Sequence, residues 1–356
     1  MKVLVKAYTV QNLGDDLLLH LLFTRYPQIT FEIEIGKFCE KYERCWSYPN
    51  VTINNSHDLF FRIQRKLGLL TVGRKKLKGY DAIVYLGGSI FMENPDNIIL
   101  DRLFRKTLCV AGKNKIPVFV LNCNFGPYHT EKYRLDKQDC FARCRQVCFR
   151  EQYSYRLFGH LPQSTYAPDA VFSYHQPVQT EPGTLGISVI DLENRPTLGS
   201  ASDLYDLFLD QIIQRHYKDG YRIVLFDFCT EEGDGKAAEK IALRHNEKNI
   251  ETVHYNGELE AFLNCFLSME RLVVMRFHAM VLAAAHHIPF LPVVYSSKMS
   301  HVIEDLSLAD SYIDLEHPQN PFGKLQFSKW KGDGVSMRQD VFGIFEQVIV
   351  KGNEKT

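Results

Sequence analysis

Arg276 and His278 are the residues of this chain best placed to do acid–base chemistry on an anion. They stand in Arg276-Phe277-His278-Ala279-Met280-Val281-Leu282-Ala283-Ala284-Ala285, directly after the apolar run Leu272-Val273-Val274-Met275. The run reads as a buried strand, and the alanine-rich stretch as a helix ending near Ile288-Pro289. A strand's carboxyl end turning into a helix is where ligands gather in open α/β sheets. The helix dipole favours an anion there, and an arginine beside it strengthens the preference. Tyr295-Ser296-Ser297-Lys298 closes the next apolar run and brings Lys298 to the same sheet edge. The three cationic or titratable groups together point to a site for a phosphorylated small molecule.

Four other groupings carry possible chemistry. Asn12-Leu13-Gly14-Asp15-Asp16 follows the first strand, where a dinucleotide fold holds its phosphate loop. The G-x-G-x-x-G pattern is absent, and two carboxylates repel a pyrophosphate, so a sugar hydroxyl is the better partner. The plainer reading of either aspartate is a helix cap. Gly87-Gly88-Ser89 ends the run Ile83-Val84-Tyr85-Leu86 and either admits a ligand close to the backbone or simply turns the chain. Arg150, in Phe149-Arg150-Glu151-Gln152-Tyr153-Ser154, either contacts substrate or pairs with Asp169 of Pro168-Asp169-Ala170. Glu231-Glu232-Gly233-Asp234 suits a hard cation, but an exposed acidic loop capping the next helix is favoured.

The elements that must position these residues alternate along the chain. Strands are expected at Lys2–Tyr8, Phe31–Ile35, Ala82–Leu86, Pro117–Leu121 and Val147–Arg150, with helices at Leu17–Arg25, His57–Leu69, Ile98–Ala111 and Glu131–Arg145. Tyr174–Gly183, with Pro177 and Pro182 among polar residues, reads as a linker. Beyond it come strands Thr184–Ile190, Arg222–Phe226, Glu251–His254, Leu272–Met275 and Phe290–Tyr295. Helices Asp203–Tyr217, Lys236–His245 and Leu259–Leu267 fall between them, and Met337–Val350 closes the chain, packing back on the first half. Strand–helix alternation implies parallel βαβ units. The expected fold is α/β, with two Rossmann-like domains facing across a cleft in a GT-B-like arrangement. They span residues 1–176 and 183–336, with residues 337–356 as closing helix and tail.

Composition narrows the function. The 356 residues are 45% hydrophobic, ample for two cores. Lys plus Arg equal Asp plus Glu at 42 each, so no overall basic field exists to hold nucleic acid. The local run Arg74-Lys75-Lys76 reads as solvated surface. The apolar start Met1–Lys6 is too short for a signal segment, and no apolar stretch reaches a membrane span. A cytoplasmic protein is expected, with peripheral contact at the membrane's inner face left open. Nine cysteines include no Cys-x-x-Cys pair. Cys140, Cys144 and Cys148 recur every four residues and are expected to pack against a sheet rather than bind metal. No metal and no cofactor are expected.

The ordered set Asn12-Leu13-Gly14-Asp15-Asp16, Gly87-Gly88-Ser89, Arg150-Glu151 with Ser154, Pro168-Asp169-Ala170, Arg276-Phe277-His278-Ala279 and Tyr295-Ser296-Ser297-Lys298 resembles that of polysaccharide pyruvyl transferases. The likeness runs from about Met1 to Leu306. It implies transfer of a pyruvyl group from phosphoenolpyruvate to sugar hydroxyls as a ketal, in exopolysaccharide, capsule or cell-wall polymer synthesis, with residues 1–176 as the acceptor side and residues 183–336 binding the donor. On that reading His278 is the acid, and Asp15 or Asp16 acts on the acceptor hydroxyl. Arg276 and Lys298 bind the donor's anionic groups, with Asn12, Gly14, Gly87, Gly88, Ser89, Arg150 and Tyr295 completing the substrate site. The partners are phosphoenolpyruvate and a saccharide acceptor, free or lipid-linked. Two other readings stay open: a GT-B glycosyltransferase using a nucleotide sugar, and a non-catalytic saccharide-binding relative.

Overall fold

The computed structural model describes residues 1–35, 39–55, 77–192, 201–246, 250–309, 312–317, 326–332 and 340–347. The helix expected at His57–Leu69 and the basic run at Arg74–Lys76 lie outside them. The chain forms two compact units, one of residues 1–9, 18–170 and 337–356, the other of residues 10–17 and 171–336. The unit boundary thus falls before the expected linker. Residues 10–17, with Asn12 and the helix start that carries Gly14, Asp15 and Asp16, group with the second unit.

In the first unit seven parallel strands run in the order β3-β2-β1-β4-β5-β6-β7. They are β1 (Lys2–Ala7), β2 (Thr30–Ile35), β3 (Val51–Asn55), β4 (Ala82–Phe91), β5 (Val118–Phe125), β6 (Gln146–Phe149) and β7 (Ser164–Tyr166). The helices are α1 (Leu13–Arg25, of which residues 13–17 group with the second unit), α2 (Cys39–Cys45), α3 (Ile98–Asn114), α4 (Glu131–Phe141) and α5 (Gln152–Phe158). The central strands are apolar almost throughout, because helices cover both faces of a parallel sheet. Val3, Leu4, Val5, Ile83, Val84 and Val118 to Leu121 are all buried. Cys140, Cys144 and Cys148 are buried too. Helix α4 stops at Phe141, so Cys144 lies in a turn and Cys148 in β6.

The second unit holds six strands in the order β10-β9-β8-β11-β12-β13. They are β8 (Glu181–Ser188), β9 (Arg222–Asp227), β10 (Glu251–His254), β11 (Met269–Val274), β12 (Phe290–Val294) and β13 (Ile313–Asp314). Between them lie α6 (Ser202–Lys218), α7 (Asp234–Arg244), α8 (Leu259–Leu267), α9 (Phe277–Ala285) and α10 (Ser297–Leu306). Pro182 and Gly183, expected in the linker, already belong to β8, where a proline is tolerated among a strand's first residues. Every residue of α9 is buried. Its alanines leave room for a helix enclosed on all sides, which is why its sequence shows no polar face.

The C-terminal segment belongs to the first unit. Its described helical turn is short, Gly343–Phe345 (α11), and the rest of the helix expected at Met337–Val350 lies mostly outside the described residues. Tyr26 meets Phe342 and Phe345 edge-on, and Phe345 in turn packs on Phe119. Arg25 pairs with Asp340 and, at 3.0 Å, with Glu346. These ion pairs are half-exposed and add little, so the aromatic contacts hold the segment.

Candidate active site

In the second sheet the chain steps from β8 outward to β9 and β10, then returns to β11 on the other side of β8. The crevice at the carboxyl ends of β8 and β11 is therefore the sheet's switch point, the ligand position of such folds. Arg276 and His278 lie there. Ser188, the last residue of β8, accepts hydrogen bonds through Oγ from the backbone N–H of Met275 at 2.9 Å and of Arg276 at 3.3 Å. This bond ties the strand end to the start of α9, with Arg276 as its extended N-cap.

The Arg276 guanidinium is buried and tied to carboxylates. Its Nε donates to Asp234 Oδ2 at 2.7 Å, its Nη2 to Asp234 Oδ1, and its Nη1 to Glu232 Oε2 at 2.5 Å. Asp234 is wholly buried at the start of α7. The loop expected to be an exposed acidic cap is thus a counter-ion for Arg276, because the β8–β9 side of the sheet lies beside the arginine. Burial pushes the Asp234 carboxyl up to about 6, against the pull of Arg276. Among the described residues, three of the guanidinium N–H donors are engaged in this way.

His278 meets the first motif. A Cβ built on Gly14 would stand 1.7 Å from His278 Nδ1, so the imidazole rests directly on the glycine's Cα. Asn12 caps α1, its Oδ1 accepting from the Gly14 N–H at 3.1 Å. The Leu13 N–H donates to the Phe228 carbonyl at 3.1 Å, and Gln11 Nε2 to the Asn256 carbonyl at 2.6 Å. Tyr255 donates its hydroxyl to the buried Asp16 at 2.8 Å. Asp15 is partly exposed beside it. Gly14→Ala is expected to displace the imidazole and lower activity on the order of 100-fold, the cost of a misplacement of about 1 Å. Wild-type kcat in that variant would show that the ring position does not matter.

Tyr295 is buried just past the end of β12, and the partly exposed Lys298 is the second residue of α10. The Lys298 ammonium lies 5.7 Å from the Tyr295 ring centroid, a cation–π distance that steadies it at the sheet edge.

The remaining motifs converge within the first unit. Gly87 and Gly88 do not end β4. Both take positive φ, 82° and 64°, and pairing with β5 shifts register between Gly88 and Phe91. Only glycine carries a strand through two such residues without strain. Ser89 Oγ donates to Asn124 Oδ1 at 3.0 Å, and Arg150 Nη2 reaches the same oxygen at 2.8 Å. Arg150 Nη1 and Asn122 Nδ2 both donate to Asp169 Oδ2 at 3.0 Å. The Ala170 N–H donates to Asn122 Oδ1 at 2.7 Å. Arg150, Asp169, Asn122 and Asn124 are all buried. Sequence reasoning missed Asn122 and Asn124. Their signal was two polar residues, two apart, at the end of an otherwise apolar strand. Asp169→Asn keeps the shape but removes the charge facing Arg150. It is expected to cost about 1–3 kcal/mol in denaturant unfolding. A variant as stable as wild type would mean that Arg150 is neutralised elsewhere.

No group of three or more His, Cys, Asp or Glu with metal-binding geometry occurs among the described residues. No helix among them is long and apolar enough to cross a membrane.

Two parallel-sheet α/β units with a site at a switch point define a GT-B-like fold, and solved structures agree. HepE of Anabaena, solved with UDP and glucose, superposes with a TM-score of 0.59 at 12% identity, covering 99% of both chains. UDP-GlcNAc 2-epimerase of Methanocaldococcus jannaschii gives 0.57 at 11% identity, covering 98% of this chain and 100% of its own. At such identities the likeness is one of fold. Residues 12–297 match the polysaccharide pyruvyl transferase model, so the chain belongs to that family. The amylovoran biosynthesis protein AmsJ of Erwinia amylovora is 21% identical over 306 residues, 79% of this chain and 72% of AmsJ.

Proposed function

We infer that this protein moves a pyruvyl group from phosphoenolpyruvate to two hydroxyls of a saccharide, closing a cyclic ketal in the synthesis of an exopolysaccharide, capsule or cell-wall polymer. The observation that carries this reading is the imidazole of His278, seated on Gly14 at the first turn of α9, with Arg276 one residue before that helix. The family membership supports it.

The donor carries a phosphate and a carboxylate. In this reading the positive end of α9, the remaining N–H groups of Arg276 and the Lys298 ammonium share those charges. His278 protonates the enol methylene, so C2 becomes electrophilic. One acceptor hydroxyl adds at C2 and phosphate leaves. The second hydroxyl then adds, closing the ketal. One hydroxyl proton replaces the proton that became part of the methyl group, and the other leaves with phosphate. Asp15 or Asp16 orients or deprotonates the acceptor. Of these, Asp16 accepts a hydrogen bond from Tyr255. The chemistry uses no metal or cofactor, and we set it in the cytoplasm at the inner face of the membrane, where a lipid-linked acceptor is available.

The test is phosphate release from phosphoenolpyruvate with galactose, glucose and N-acetylmannosamine acceptors, free and lipid-linked, read with product mass. Acceptor-dependent phosphate release matched by the mass of a pyruvyl ketal supports the reading. No release, with thermal stabilisation by a nucleoside diphosphate and none by phosphoenolpyruvate, replaces it with nucleotide-sugar transfer.

A further inference from the structure

β9 and β10 end in register, with Asp227 opposite His254. His254 Nδ1 lies 2.8 Å from Asp227 Oδ2, and Thr230 Oγ1 donates to the same oxygen at 2.5 Å. The Asp227 side chain is 0% exposed, whereas that of His254 is 45% exposed. A carboxylate only accepts, so Nδ1 carries the hydrogen, and Nε2 is the ring nitrogen left for a partner.

A third element closes on this pair. Gly235 is the second residue of α7, and a Cβ there would stand 2.8 Å from Asp227 Oδ2 and 3.5 Å from His254 Nδ1. The missing side chain lets the start of the helix approach the carboxylate, and the helix dipole favours its charge. Two strand ends and a helix start thus set the tautomer and direction of one exposed imidazole. The site lies on the carboxyl edge of the second sheet, the same edge as Arg276.

The surrounding charge selects the ligand. Asp227, Glu232 and Asp234 act on one another and outnumber Arg276 among them. That field disfavours an anion. A neutral hydroxyl both donates and accepts, so it pairs with the imidazole nitrogen that Asp227 leaves for a partner. We propose that His254, aligned by Asp227, is a subsite for a hydroxyl of the saccharide acceptor. This rests on the reading that the acceptor is a saccharide, and it extends that acceptor along the sheet edge towards β10.

The experiment reads saccharide binding without any donor. Saturation-transfer NMR titrations with galactose, glucose and N-acetylmannosamine, free and as short oligosaccharides, are run on wild type, His254→Ala and Asp227→Asn. His254 is exposed, and its removal leaves the core untouched; thermal unfolding checks each variant. The expected result is a sugar that binds wild type and binds His254→Ala about 3- to 10-fold more weakly, the worth of one hydrogen bond. Asp227→Asn weakens it as well, because an amide no longer specifies the tautomer. Equal affinity in wild type and His254→Ala overturns the proposal, and so does the absence of binding by every sugar. Failure of phosphoenolpyruvate as donor appears separately, as no phosphate release, and leaves the binding comparison standing.

Discussion

His278→Ala is expected to lower kcat by about 10²–10⁴-fold, the usual contribution of a positioned general acid. The fold should survive. The residues around the imidazole, Gly14 and the buried start of α9, lose a contact rather than gain an unpaired charge. His278→Gln separates shape from proton transfer: it fills much of the same space and hydrogen-bonds, but does not titrate. Both variants should therefore be inactive, with thermal midpoints near that of wild type and donor binding retained. Activity close to wild type in either would remove His278 from the chemistry. A collapsed thermal midpoint would recast it as a structural residue.

Arg276→Met is expected to destabilise the protein by about 3–5 kcal/mol, because it leaves the buried Asp234 carboxylate without its cation. Asp234 loses two bonds and Glu232 one, and Asp234 has no exposure to water through which to recover. Chemical denaturation measures the cost. The double variant Arg276→Met with Asp234→Asn should recover much of it, since no buried charge then remains unpaired on α7. A single variant that loses less than about 1 kcal/mol would mean that Arg276 is held for its ligand alone. In that case the loss would fall on donor binding, seen as a raised KM for phosphoenolpyruvate.

The two predictions concern residues two apart in sequence with unlike surroundings, and that contrast shows where sequence reasoning stops. Leu259–Leu267 was legible to the residue, because its apolar spacing and flanking polar residues are local signals. Arg276 and His278 were legible as a strand-end pair for the same reason. Gly87-Gly88-Ser89 was read as a strand end, yet β4 continues to Phe91. A glycine's freedom permits both outcomes, and only the pairing with β5 selects one. Arg150 with Asp169 was open between substrate contact and ion pair, and the folded chain supplies the ion pair at 3.0 Å.

The sequence by itself determined the α/β alternation, the strand-end positions of Arg276, His278 and Lys298, and the ordered motifs of the family. Each follows from hydrophobic period and turn chemistry within a few residues. The tertiary structure alone decided the partners. Asp234 and Glu232 reach Arg276 from 42 and 44 residues away, and Tyr255 reaches Asp16 from 239. Gly14 comes to rest under His278, and Asp227 opposite His254. These meetings depend on strand order, which places β8 beside β11 and β9 beside β10. Strand order is settled by burying both faces of the whole sheet, a long-range balance that no local window of sequence contains.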